Sequence, residues 1–115
     1  MPFGPIHSLG RLQITAGTPL RVTNNEPTPT DRYQCHAIMI EAWPTNAGKV
    51  WIFDREAGNK TTGEGVVAIL APPATNIFPT FTVGFSGFAN PIDASLYWVD
   101  VDNTGEGVVI SALVL

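Results

Sequence analysis

The chain has 115 residues with six basic and ten acidic side chains, a net charge of -4, 11 glycines and 10 prolines. That length sets one domain, able to bury a core without metal or disulfide staples. Scattered, sparse positive charge excludes an electrostatic footprint for nucleic acid, and frequent Gly and Pro with only 14% charged residues point to all-β structure with no helix of consequence.

The single cysteine, Cys35, excludes an internal disulfide and, in an apolar segment, reads as a buried small hydrophobe. No apolar run reaches the roughly twenty residues of a membrane span, so no membrane partner is expected. Met1-Pro-Phe-Gly-Pro5 lacks the basic opening and apolar run of a secretory signal, so the expected site of synthesis is the cytoplasm.

Residues 1–10 carry Phe3, Ile6 and Leu9 between prolines and glycines, which predicts an extended N-terminal arm lying on the body or on a neighbouring subunit. Residues 11–115 are expected to form a β-sandwich domain. A strand over 11–15, a turn at Ala16-Gly17-Thr18-Pro19 and a strand over 20–23 lead into a proline-broken loop over 24–31. The strand over 33–43 should place Ile38, Ile40 and Ala42 on one face and Cys35, Ala37, Met39 and Glu41 on the other. After the turn at 44–48, residues 49–53 are expected to return as its hairpin partner.

A polar stretch over 54–65 precedes a short, wholly apolar strand at 66–70, and Pro72-Pro73 breaks it. Residues 78–85 give another strand, with Phe81, Val83 and Phe85 on one face. The last twenty residues read as a buried hairpin turning at 102–107, with Tyr97 and Trp98 on opposite faces of its first strand. Thr62-Gly-Glu-Gly-Val-Val67 recurs as Thr104-Gly-Glu-Gly-Val-Val109, which suggests one turn-into-strand solution used twice. Short strands at this density predict an antiparallel β-sandwich, jelly-roll-like.

Reactive constellations are absent from the sequence. Asp100-Val-Asp102-Asn-Thr104-Gly105 matches the opening half of a calcium loop, but Ser111 stands where the closing acid belongs, so a polar turn is expected and no metal. His7 and His36 have no ligand-spaced partners, and Ser8, Ser86, Ser95 and Ser111 lack a nucleophile elbow. The reading is no enzyme, no catalytic residue and no cofactor. Eleven aromatic residues exceed what a thin sandwich easily encloses, so Trp43, Trp51, Phe81, Phe85, Phe88, Tyr97 and Trp98 are expected at an oligomer or partner surface; an aromatic-rich core is the alternative.

Ile40-Glu-Ala-Trp-Pro-Thr-Asn-Ala-Gly-Lys-Val-Trp-Ile52 and Leu96-Tyr-Trp-Val-Asp-Val-Asp-Asn-Thr-Gly-Glu-Gly-Val-Val109 resemble small virion structural proteins of tailed bacteriophages. Ala42, Pro44, Asn46, Gly48, Val50 and Ile52 fit the first motif, and Leu96, Tyr97, Val99, Asp100, Gly105, Glu106, Gly107 and Val108 the second. Phe53 and Asp54 depart from the small glycine that commonly follows, and the stretch over 72–91 is longer and richer in Phe.

The resemblance implies a capsid decoration, or cement, protein on the outer surface of the virion. Its partners would be the major capsid protein and further copies of itself, as a homotrimer or, alternatively, a dimer. Phe3, Ile6 and Leu9 would anchor the arm on the capsid. The rivals are a carbohydrate-binding jelly-roll module with Trp43, Trp51 and Trp98 as its platform, and a tail or fibre component.

Overall fold

The computed structural model describes residues 6–84 and 91–114. Among them are nine strands: β1 (Ile6–Gln13), β2 (Leu20–Arg21), β3 (Gln34–Ala42), β4 (Val50–Phe53), β5 (Val66–Leu70), β6 (Thr80–Val83), β7 (Ile92–Asp93), β8 (Trp98–Val101) and β9 (Gly107–Val114). A single 3₁₀ turn, Ala94–Leu96, separates β7 from β8. The strands form two antiparallel sheets, β1-β9-β3-β6 with β7 also on β3, and β2-β8-β4-β5.

The pairing is nested. β1 lies against β9, β2 against β8, β3 against β6, and β4 against β5. The nested pairs fall alternately in the two sheets, with the innermost pair formed by β4 and β5, and together they make the antiparallel β-sandwich expected from the sequence. Between the sheets Leu12, Ile14, Ile38, Ile40, Ile52 and Ile110 are almost wholly removed from water, and burial on this scale supplies the main folding force.

Neither local hairpin expected from the sequence forms. β3 and β4 belong to different sheets, as do β8 and β9, so the connections at 44–48 and 102–106 carry the chain across the sandwich. Turn residues specify a reversal of direction but not whether the reversal stays in one sheet. Strand length decides it: β9 pairs along nearly its whole length with both β1 and β3, which the four-residue β8 could not match.

Of the expected arm, residues 6–10 are not separate from the domain but lie on its body as the first half of β1. The ladder with β9 slips between Ser8 and Gly10, where Gly10 takes φ +86°. This bulge leaves Leu9 as the extra residue and turns it into the core, 2% exposed. Asn25 Nδ2 donates to the Leu9 and Arg11 carbonyls at 3.3 and 3.0 Å, fastening the loop over 24–31 to the strand beside the bulge. Phe3 lies outside the described residues.

A second slip, between Cys35 and Ala37, reverses the expected facing of Cys35. Cys35 joins Ile38 and Ile40 in the core cluster instead of sharing the face of Met39. Burial pushes its thiol up to about 11, so it stays protonated and inert.

Candidate functional site

Side-chain alternation along β1, β9, β3 and β6 gives their sheet one face on the core and one face outward. The register aligns the outward residues in rows. Ile6 neighbours Leu113; Ser8, Ser111, Met39 and Thr82 form the next row; Arg11, Val109, Glu41 and Thr80 form the last. An outward face in water normally reads polar and charged. Here Arg11 and Glu41 are the only charges in these rows, both at one end. Toward the other end Ile6, Met39, Ser111, Ala112 and Leu113 line a shallow apolar depression of about 100 Å³. Ile6, at 74% exposed, forms its rim.

The tryptophans occupy two different regions. Trp51 and Trp98 belong to β4 and β8 of the second sheet, where Trp51 stands opposite Asp100 and Ile69, and Trp98 opposite Arg21 and Phe53. Trp43 follows β3 at the charged end of the first sheet's outer face. Each ring carries one of the protein's own cations: Arg11 lies 3.8 Å from the centroid of Trp43, Arg21 4.4 Å from Trp98 and Lys60 6.0 Å from Trp51. These contacts occupy ring faces that a sugar platform would present. The structure does not bring the three rings together as one surface.

Phe81 and Tyr97, expected at a partner surface, instead close the core. Both are half-buried against the central cluster, with their ring centroids 6.5 Å apart and their planes tilted by 57°. Burial raises the Tyr97 phenol above its ordinary range, and Asp54 adds to the shift. Leu9 is likewise a core residue, leaving Ile6 as the described member of the expected arm set that is open to solvent. Phe85 and Phe88 lie outside the described residues.

The acidic pair beside the last connection is a structural clamp. Asp100, 4% exposed, accepts the Gly17 and Val101 N–H groups through Oδ1 at 3.0 and 2.7 Å, while Oδ2 faces Lys60 Nζ at 3.3 Å. Asp102 Oδ1 accepts Trp51 Nε1–H at 2.9 Å and lies 3.6 Å from the same ammonium. Lys60 Nζ also donates to the Val101 carbonyl at 2.7 Å. The half-calcium-loop oxygens thus face an amine and main-chain donors, tying the β4–β5 connection onto the outer face of the second sheet. Among the described residues no group of three or more His, Cys, Asp or Glu side chains is placed to hold a metal ion.

One region escaped sequence reasoning. Among the described residues six large hydrophobic side chains are exposed, and Val67, Ile69, Ile77 and Phe78 are four of them. All four belong to β5 or to the connection leading to β6, on the side of the sandwich where β5 and β6 are both sheet edges. The available signal was Val-Val-Ala-Ile-Leu, apolar at every position: a strand with only one face on a core must then show the other to something else. Comparison with protein-family models, with curated proteins and with solved structures returned no match.

Proposed function

We propose that the chain is a virion structural protein that decorates and stabilises a bacteriophage capsid by bridging major capsid subunits. The observation that carries this reading is the outer face of the β1-β9-β3-β6 sheet, where Arg11 and Glu41 are the only charges in its rows and Ile6, Met39, Ala112 and Leu113 line an apolar depression at the far end. Such a face, with scattered hydroxyls and a shallow apolar depression in place of an enclosed cleft, suits a flat protein partner better than a small molecule. The two sequence motifs that resemble phage structural proteins add support. On this reading the protein acts through contact alone, on the outside of the shell, with no cofactor and no reaction.

A carbohydrate-binding role finds less support, because the tryptophan faces that would stack on sugar are engaged by Arg11, Arg21 and Lys60. The test is co-sedimentation with expanded capsids using Ser111→Lys, at the centre of the face, and Ile6→Lys, at its rim. Both variants should fold as the parent does and lose capsid binding. Undiminished binding by folded Ser111→Lys would remove this face from the account, and no binding by the parent chain would remove the capsid.

A further inference from the structure

The edge formed by β5 carries an inference that does not depend on the capsid reading. Sheet edges present unpaired N–H and C=O groups, and proteins ordinarily blunt them with lysine, proline, bulges or inward charge. Among the described residues no strand pairs with β5 on its outer side. From residue 65 through residue 92 the sequence contains no Asp, Glu, Lys, Arg or His, so the usual charged protection is missing along the entire stretch that holds β5 and β6. Within β5 itself no proline interrupts the run, and its one irregularity is the register shift against β4 that leaves Val67 as the extra residue.

We propose that β5 pairs antiparallel with β5 of a second copy about a two-fold axis through Ala68, joining two four-stranded sheets into one. The strand is self-complementary in this register. Val67 faces Ile69 of the second copy and Ile69 faces its Val67, so the exposed aliphatic side chains of both strands, 41% and 49% open in one chain, cover one another. Trp51, the cross-strand neighbour of Ile69, backs this cluster from β4. An uncharged strand has nothing with which to select a charged partner, whereas a second copy supplies both the open edge and the matching side chains.

Sedimentation equilibrium tests this with the full chain. The parent should run at twice its 12.3 kDa mass. Ile69→Lys should halve that mass while far-UV circular dichroism keeps the parent's strand signal, and its Tm should lose the dependence on protein concentration that the parent's dimerisation imposes. The double variant V67E/I69K should recover the dimer in low salt, since the antiparallel register sets each introduced carboxylate against the introduced ammonium of the second copy. A monomeric or trimeric parent, or a dimer that Ile69→Lys leaves intact, would overturn the proposal. A double variant that remains monomeric would overturn its register. Capsid binding is not read in this experiment, so the capsid reading stands or falls separately.

Discussion

Asn46 and Gly107 hold each other reciprocally: Asn46 Nδ2 donates to the Gly107 carbonyl at 2.7 Å, and the Gly107 N–H donates to Asn46 Oδ1 at 3.2 Å. Glu106 reinforces the contact, accepting the Ala47 and Gly48 N–H groups at 2.8 and 3.0 Å. The two inter-sheet connections, distant in sequence, are thereby fastened together at one end of the sandwich. Residues singled out in both phage-like motifs meet at this point.

Truncating Asn46 should therefore destabilise the whole fold. The side chain is 5% exposed, and Asn46→Ala strands the Gly107 N–H without its acceptor, while the carbonyl keeps the Trp43 N–H at 3.0 Å. An unsatisfied buried donor costs about 1–3 kcal/mol, and each kcal/mol lowers Tm by roughly 4 °C in a domain of this size. Asn46→Asp should do no better, because it restores an acceptor but sets a carboxylate against the Gly107 carbonyl. Thermal melts that superimpose on the parent would refute the fastening.

The repeated Thr-Gly-Glu-Gly-Val-Val segments should respond unequally to alanine. In the first copy Gly65 has φ +77° and its missing Cβ would meet only the flexible Arg55 side chain, so Gly65→Ala should cost about the 1–2 kcal/mol of a left-handed non-glycine residue. In the second copy a Cβ on Gly107 would run into the Leu12 carbonyl, main chain that cannot move aside. Gly107→Ala should abolish folding or lower Tm far more than Gly65→Ala, and equal losses would contradict the packing.

How far the sequence disclosed this molecule follows from what each pattern encodes. Alternation of apolar residues located β3, β4, β8 and β9 to within a few residues, because burial on one face leaves that imprint. It could not assign them to sheets, since Gly105 and Asn103 mark a turn whether the chain returns beside itself or crosses over. Bulges were equally silent. The slips at Leu9 and Cys35 move one residue across the sheet without altering composition, which is why Leu9 was read as an arm contact and Cys35 was placed opposite Ile38. Of the candidate surface, aromatic content drew attention to Trp43, Trp51 and Trp98, but the cations covering them come from positions remote in sequence. The sparsely charged outer face was half visible in Val109, Ser111 and Leu113, interleaved with the core residues Val108, Ile110 and Ala112.

Lys60 is expected to matter more than an ordinary surface lysine. Asp100 is buried and Lys60 Nζ is its nearby cation; Lys60→Met keeps the packing stem but leaves that carboxylate without it. Because Lys60 itself is 27% exposed, the cost should fall below that of a fully buried pair, at about 1–3 kcal/mol. The connection over residues 54–65 should also become more susceptible to proteolysis, since the ammonium joins it to Val101, Asp100 and Asp102. Cleavage rates and Tm equal to the parent's would show that the clamp contributes nothing.

Acid should loosen the same fastening that joins the two connections. Burial opposes ionisation of Glu106, yet the Ala47 and Gly48 N–H groups and the Asn103 amide outweigh it and hold its carboxyl below the ordinary range. Asp93 behaves alike: burial opposes its charge, and the Ser95 hydroxyl with the Tyr33 and Ser95 N–H groups prevails. A carboxylate whose pKa is lower in the folded chain adds stability above its unfolded value, and that stability is lost as pH falls through the folded value. The parent should therefore lose Tm below about pH 4, where unperturbed carboxylates begin to protonate. Glu106→Gln should start lower at neutral pH and lose less on acidification, so the two Tm curves converge in acid. Curves that stay parallel across the titration would show that Glu106 does not couple proton binding to folding.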